Sequence, residues 1–483
     1  MTRDAVGTAQ PVDDGLELSA AGLAPDHDAE SGVGPGVGNS ADLGVAPGLA
    51  SDVDPDFDPV AYINQPRWQK VSLGLDRTRL LLGLIGNPQD QLRFVHVAGT
   101  NGKGSTCSFI ASILQAAGYR TGLFTSPYLI TFEERIRVNG ANIPAHDLRD
   151  ATLVVRQAAL QIQRQLGEHP TEFELMTAVA LLHFARSACQ IVVLEVGLGG
   201  RLDSTNVIQA PEVCVICRIG LDHTALLGST VEQVATEKAG ILKPGCPVVS
   251  WPQDAPAMEV VRTRCDQLGC TLRVPDFSQL TAGKVERGLR PVSYGAFGSF
   301  ELQLLGSYQP SNAALALEAV ALLRERGWNV PDAALRAGLR ATEWPGRFQV
   351  VAHDPTFVVD GGHNPQGAQA LVDSVQDVFP GMRPVLLMGV LADKDYRSML
   401  RTVLPLAKAV VAYEPPSPRA LSAQDLAAAV VQVRDQLQCY VDVHAVDDLV
   451  QGVALARKLA GQEGLVVAFG SLYSISQVMD ALG

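Results

Sequence analysis

The 483-residue chain has no run of roughly 18 apolar residues free of charge, so nothing in it reads as a membrane-spanning helix. Its N-terminus lacks the basic-then-apolar order of a secretory signal. Cysteine is sparse, and eight thiols in this length form no disulfide framework. The single C-x-x-C, Cys214 and Cys217, lies inside an apolar strand-like run. Alternation there puts the two thiols on opposite faces, and no second pair follows at zinc spacing, so packing is the preferred reading. Excess positive charge is missing too: the net charge of −13 argues against nucleic acid or an anionic membrane as partner. No internal repeat of 20–50 residues and no heptad pattern occurs, and a monomer is expected. These absences leave a cytoplasmic chain, too long for one core and expected to hold two or three domains.

Much of the negative charge is local. Residues 1–58 hold twelve acids, from Asp4 to Asp58, against one base, Arg3, so the remainder is close to neutral. With one aromatic, Phe57, this Gly-, Ala- and Pro-rich segment cannot bury enough surface to offset its chain entropy. Disorder is expected there, with order beginning near Pro59.

What the chain does have is Phe94 to Gly118, FVHVAGTNGKGSTCSFIASILQAAG. A short apolar run, a glycine loop and a helix-period segment follow one another. That order gathers backbone N–H groups and a helix N-terminus at one spot suited to phosphate. Lys103 adds a full charge, and the hydroxyls of Ser105 and Thr106 are candidates for magnesium. The standard G-x-x-x-x-G-K-[ST] pattern is met imperfectly: Val97 stands at the first glycine, and Gly104 separates Lys103 from the hydroxyls. A glycine turn of this kind is often purely structural, but one bearing such a lysine points to nucleotide.

Further along, helical spacing covers Tyr62 to Ile85, and two long helices are expected over Ala145–Leu166 and Glu172–Ala188. Strands are expected at Arg120–Phe124, Ile191–Val196, Glu212–Ile219, Val248–Val249, Thr271–Val274 and Phe300–Leu305, then a helix from Asn312 to Arg326. Asn139-Gly140 signals a hairpin. After a Pro/Gly boundary at Ala341–Arg347, strands at Thr356–Asp360, Val385–Val390, Ala409–Tyr413 and Leu465–Phe469 alternate with helices from Gln366 and Ser422. The fold class is therefore α/β, with a second, smaller doubly wound domain.

Ligands of open parallel sheets sit beyond the carboxyl ends of the strands. Lys103, Ser126, Glu195, Asp222 and His223 all fall on that edge. Glu195, within an apolar strand, is costly unless paired or bound to a cation. His223 is an unusual magnesium ligand, and physics alone favours a packed histidine there. His363 follows the second domain's first buried strand, where a turn built by Asn364-Pro365 is an equal reading. Lys238 alone reads as a solvated helix lysine.

The segments HVAGTNGKGST (96–106), TSPYL (125–129), ERIRVNG (134–140), EVGLGGRLDSTN (195–206), GLDH (220–223), EKAGILKPG (237–245), YQPSNAALA (308–316), WPGRFQ (344–349), DGGHNP (360–365) and GSLY (470–473) resemble the folylpolyglutamate synthase / dihydrofolate synthase family of the Mur ligase superfamily. They span nearly the whole expected ordered chain in the right order. The resemblance implies a P-loop-containing Mur-ligase-like ATPase domain over 59–343 and a smaller Rossmann-like glutamate ligase domain over 344–483. It implies an ATP-dependent amide ligase that turns a pteridine carboxylate (tetrahydrofolate or dihydropteroate) into an acyl phosphate, which the amine of L-glutamate attacks. By the same resemblance Gly99, Thr100, Asn101, Gly102, Lys103, Gly104, Ser105 and Thr106 hold the phosphates, and Asn312, Arg347 and Asp360 contact ATP. Ser126, Glu195 and His223 match magnesium ligands, and Lys238 matches a carbamylated lysine. Lys103, Lys238 and His363 are the expected catalytic groups, and Thr171, Phe173 and Ser471 the expected substrate contacts. Tyr128 stands where the family commonly has histidine. The N-terminal extension lacks the strands of a UDP-binding domain, which argues against the peptidoglycan branch. Two rival readings use the same loop: a phosphotransferase or nucleotide switch, and a non-catalytic nucleotide-binding module.

Overall fold

Nearly continuous Val/Ile/Leu runs form strands only where both faces of a sheet are covered, and the central strands here are of that kind. The computed structural model describes residues 56–65 and 74–482. The segment expected to be disordered lies outside them except for Asp56–Asp58, as does Leu73. Asp58 caps the first described helix, Pro59–Ile63, by accepting from Val60 N and Ala61 N. Within the helical pattern of Tyr62 to Ile85 the described residues form the end of Pro59–Ile63 and the helix Asp76–Leu84, and residues 66–73 lie outside the described ones.

The first lobe is built on an eight-stranded sheet of β1 (Phe94–Ala98), β2 (Thr121–Phe124), β3 (Ile136–Val138), β4 (Ala141–Asn142), β5 (Ile191–Glu195), β6 (Val213–Ile216), β7 (Val248–Ser250) and β8 (Leu272–Arg273). Its order is β4-β3-β2-β5-β1-β6-β7-β8. All neighbouring pairs from β2 to β8 are parallel, while β3 and β4 form an antiparallel hairpin at one edge. Asn139 (φ 49°) and Gly140 (φ 80°) make its two-residue turn. Alternate residues of the central strands feed different cores. Val95, Val97, Val193 and Val215 pack under the helices Lys103–Ala116 and Gln309–Glu325. Phe94, Val192 and Leu194 pack against Ala145–Leu166 and Glu172–Arg186. Cys214 and Cys217 do face opposite sides, each within a separate core.

A three-stranded antiparallel sheet, β9 (Leu280–Ala282), β10 (Arg290–Tyr294) and β11 (Gly298–Leu302), follows. The sequence reading found only its last strand. The other two are short, and only three of their eight residues, all in β10, are buried, so their apolar signal is thin. The helix expected from Asn312 begins at Gln309, with Pro310 in its first turn, where a missing N–H costs nothing.

The second lobe's sheet runs β12-β13-β17-β14-β15-β16, with β12 (Gln349–Ala352) antiparallel at one edge and the rest parallel. These are β13 (Thr356–Asp360), β14 (Val385–Met388), β15 (Ala409–Ala412), β16 (Asp442–Ala445) and β17 (Leu465–Phe469). The edge strands β12 and β16 were not anticipated. The connecting segment lies against the first lobe: Ser108 Oγ donates to Glu343 O (2.9 Å), and the Trp344 ring leaves no room for a side chain at Gly104. Elsewhere Ser307 N donates to Ser374 Oγ (3.0 Å), and Arg290 pairs with Asp377. Among the described residues no helix is long and apolar enough to cross a membrane.

Candidate active site

Three adjacent strands, β5, β1 and β6, end side by side, so their following loops share one edge of the sheet. The end of β13 in the second lobe faces them across a cleft of about 710 Å³. This is the kind of place at which open α/β sheets bind ligands.

The loop after β1 has the geometry its glycines predict. Gly102 is left-handed (φ 88°) and caps the helix Lys103–Ala116; a Cβ there would stand 2.6 Å from Asn312 Oδ1. Gly102→Ala therefore adds backbone strain and displaces Asn312. It is expected to weaken nucleotide binding about tenfold or more, measurable by calorimetry. Unchanged affinity would show that the loop is not the nucleotide cradle. Lys103 Nζ lies 3.4 Å from Thr100 O and 3.9 Å from Glu195 Oε1.

Other loop side chains are already engaged. Thr100 Oγ1 donates to Gly220 O (3.0 Å). The Asn101 amide is taken by the second lobe, donating to Gln366 Oε1 (2.6 Å) and accepting from Asn364 Nδ2 (3.2 Å). Ser105 Oγ accepts from Gln309 Nε2 (3.2 Å) at the cleft wall. Thr106 is fully buried with its hydroxyl against Cys217 Sγ and does not line the cleft. The extra Gly104 moves the hydroxyl positions one step along the helix, so Ser105 and not Thr106 reaches the opening.

Glu195 ends β5 and is buried. Burial pushes its carboxyl pKa up, while Lys103 and the Ser126 N–H, which donates to Oε2 at 3.2 Å, oppose the shift. A carboxylate beside a serine, with no soft donor, suits magnesium, which takes few protein ligands besides phosphate. His223 lines the same cleft. It sits left-handed (φ 50°) after β6, and its Nε2 faces Asp222 Oδ1 at 4.0 Å. Among the described residues no three His, Cys, Asp or Glu side chains converge closely enough to hold a metal ion. Ser126, Glu195 and His223 thus share one cleft lining.

Lys238 departs from its bland reading. It is only 4% exposed, with Nζ donating to Gly99 O (2.8 Å) directly beneath the glycine loop. Burial, with Lys103 nearby, lowers its pKa from 10.5 to about 7. Asn312 is buried and donates through Nδ2 to Gln309 Oε1 (3.1 Å). Asp360 ends β13 and accepts from Phe348 N (2.9 Å), Gly362 N (2.8 Å) and the Tyr308 hydroxyl (3.1 Å). Burial raises its pKa, and the Arg347 guanidinium acts against the rise. With three donors bound, Asp360 shapes the turn at least as much as it faces the cleft. His363 Nδ1 lies 3.0 Å from Gly361 O, which places the proton of the neutral ring there. Burial brings its pKa down to about 4.

Of the expected substrate contacts, Phe173 lines the cleft, with its ring over Gly197 and edge-on to Phe124 (6.0 Å). Thr171 lines it too, but its N–H and hydroxyl both donate to Glu174 Oε2 (2.7 and 3.0 Å) as a helix cap. Ser471 is buried at the cleft wall and accepts from Tyr473 N (3.3 Å).

Sequence reasoning missed Arg135, Gln366 and Lys394, all in the cleft lining. Arg135 stacks over Tyr128 (4.9 Å) and Phe132 (5.4 Å), and its buried Nε has no hydrogen-bond partner. It lies in ERIRVNG, a segment read as a hairpin and as part of the family resemblance but without a role for Arg135.

Residues 97–320 match the Mur ligase middle domain, and residues 346–472 match the Mur ligase glutamate ligase domain. The chain is 37% identical over 425 residues to the dihydrofolate synthase/folylpolyglutamate synthase of Bacillus subtilis (strain 168), covering 85% of this chain and 95% of that protein. It is 35% identical to the dihydrofolate synthetase of Saccharomyces cerevisiae, over 69% of this chain and 79% of that one. Among solved structures, Mycobacterium tuberculosis folylpolyglutamate synthase complexed with ADP superposes with a TM-score of 0.79 at 30% identity, covering 88% of this chain and 99% of the other. E. coli FolC in complex with DHPP and ADP gives 0.75 at 30%, covering 88% and 96%.

Proposed function

Because the chain belongs to the folylpolyglutamate synthase / dihydrofolate synthase family of Mur ligases, we propose that its two-lobed cleft joins L-glutamate to both tetrahydrofolates and dihydropteroate. The protein is an ATP-dependent acid–amino-acid ligase. The observation that carries the site assignment is the convergence of Lys103, Glu195 and Ser126 at one edge, facing His363 and Asp360 of the second lobe. The proposed lobes are residues 59–343 and 344–483.

A carboxylate is inert to amines until one of its oxygens becomes a leaving group. The ligase therefore depends on placing ATP, the folate acid and glutamate together, and on neutralising charge as phosphate is transferred. The N–H groups from Gly99 to Gly104 and the helix end at Lys103 hold the triphosphate, with Lys103 Nζ beside the terminal phosphate. Glu195 and Ser126 would hold magnesium, which neutralises phosphate charge when bound. Phe173 offers an aromatic face to the pteroate moiety. Arg135, a buried cation with an unpartnered N–H, offers a site for a glutamate carboxylate, with Ser471 nearby in the same lining. His363, kept neutral by burial, accepts a hydrogen bond at Nε2 and so orients the incoming amine.

We also propose that Lys238 is carbamylated. The depressed pKa leaves a neutral amine above about pH 7, as addition to carbon dioxide requires. The new N–C bond releases a proton and leaves an anion beside Lys103.

Product analysis tests the assignment. With ATP and labelled glutamate, dihydropteroate and tetrahydrofolate assayed side by side are each expected to gain a glutamyl residue, with release of ADP and phosphate. Label in one acceptor alone makes the enzyme monofunctional. ADP release without any amine substrate supports the phosphotransferase or switch reading instead.

A further inference from the structure

A short, largely buried ion pair crosses the cleft. Asp222, in the loop after β6, accepts from Lys394 Nζ of the second lobe at 2.8 Å, with the two side chains 14% and 12% exposed. Lys394 is held on a short connection between β14 and the helix Tyr396–Val403. Its neighbours are anchored: Asp395 caps that helix through Ser398 N (3.1 Å), and Asp393 pairs with Arg419 (3.0 Å). The second oxygen of Asp222 lies 3.8 Å from His363 Nε2. The tie between this carboxylate and the second lobe is the Lys394 ammonium, with the neutral His363 ring beside it.

Other polar contacts join the lobes, among them Tyr308–Asp360 within the cleft lining, and they differ in location. Arg290–Asp377 and Ser307–Ser374 lie outside the cleft lining, on the side of β9–β11. Asp222–Lys394 and Asn101–Gln366 lie within it. Opening the cleft about the outer contacts would separate the inner ones. An ion pair suits a joint that must break and re-form: separation rehydrates both charges, which offsets much of the lost attraction, whereas parting an apolar seam recovers nothing.

We propose that Asp222 and Lys394 are a positioning pair for the ligase reaction, holding the His363 and Asp360 loop of the second lobe over the phosphate loop of the first. Its kinetic readout rests on the ligase reading above; its conformational readout does not. The pair acts on the apposition of the lobes, so it sets kcat while the nucleotide's own contacts set the KM for ATP.

The test uses the full chain with reporter labels on Cys270 and Cys439, the two cysteines that are not fully buried, one in each lobe. Lys394→Met is expected to shift the interlobe distance distribution, measured with a non-hydrolysable ATP analogue, toward longer values. It should lower kcat about 10- to 100-fold and leave the KM for ATP within about twofold. In Asp222→Lys combined with Lys394→Asp, the short-distance population is expected to return, with kcat above that of either single reversal. The proposal is overturned if the Lys394→Met distances superpose on those of the parent protein, whatever the rate. A distance shift in a protein that makes no glutamylated product would retain the joint and remove the ligase reading.

Discussion

Lys103→Ala is expected to lower kcat by about 10³-fold, and Glu195→Ala by at least about 10²-fold, with neither protein unfolding. Lys103 supplies the only full charge carried by the phosphate loop, and charge on the transferred phosphoryl group is what the transition state must have neutralised. Glu195 is the carboxylate that Lys103 and the Ser126 N–H both face. Its burial raises its pKa, so the folded state is held at a cost that alanine removes. A normal far-UV spectrum and a melting temperature at or above that of the parent, together with lost turnover, is the expected combination. Near-parent rates in either variant would remove the site from this cleft.

Lys238→Met is expected to stabilise the protein while lowering turnover at least about 10²-fold. The folded-state pKa of about 7 lies below the ordinary 10.5, so between these values the unfolded chain binds a proton that the folded chain does not. Stability therefore rises with pH across that window, by up to about 1.4 kcal/mol per pH unit for one proton, and the burial penalty is largest below pH 7. Methionine fills similar space with no charge to desolvate, and loses only the bond to Gly99 O. In bicarbonate-free buffer the variant should show a flatter dependence of denaturant midpoint on pH from 7 to 10, and a higher midpoint at pH 7. Identical slopes would place the Lys238 ammonium in water. Adding bicarbonate should raise the rate of the parent and leave Lys238→Met unchanged.

The division between what could be read in the sequence and what could not follows range and exposure. The central strands were legible because strands covered on both faces must be apolar throughout; Thr356–Asp360 and Leu465–Phe469 match to the residue. The edge rule for parallel sheets then placed Lys103, Ser126 and Glu195 together. The half-exposed strands β9, β10, β12 and β16 carry little of that signal. Pairings across the cleft carried none. Asn101 meets Gln366 across 265 positions and Asp222 meets Lys394 across 172, and no local pattern encodes such a meeting. Lys238 misled for a related reason: a lysine in the last turn of a helix normally points to solvent, and only the loop lying above it shows otherwise. Thr106 misled because the inserted Gly104 changes which hydroxyl faces outward.

The tryptophan that closes over Gly104 has a mechanical corollary. The strip joining the halves of the molecule is seated on the very helix whose first turn would grip the triphosphate, so it is braced rather than slack. Lengthening that strip with a flexible insert is expected to leave each half intact while loosening the hold of that helix on the other half.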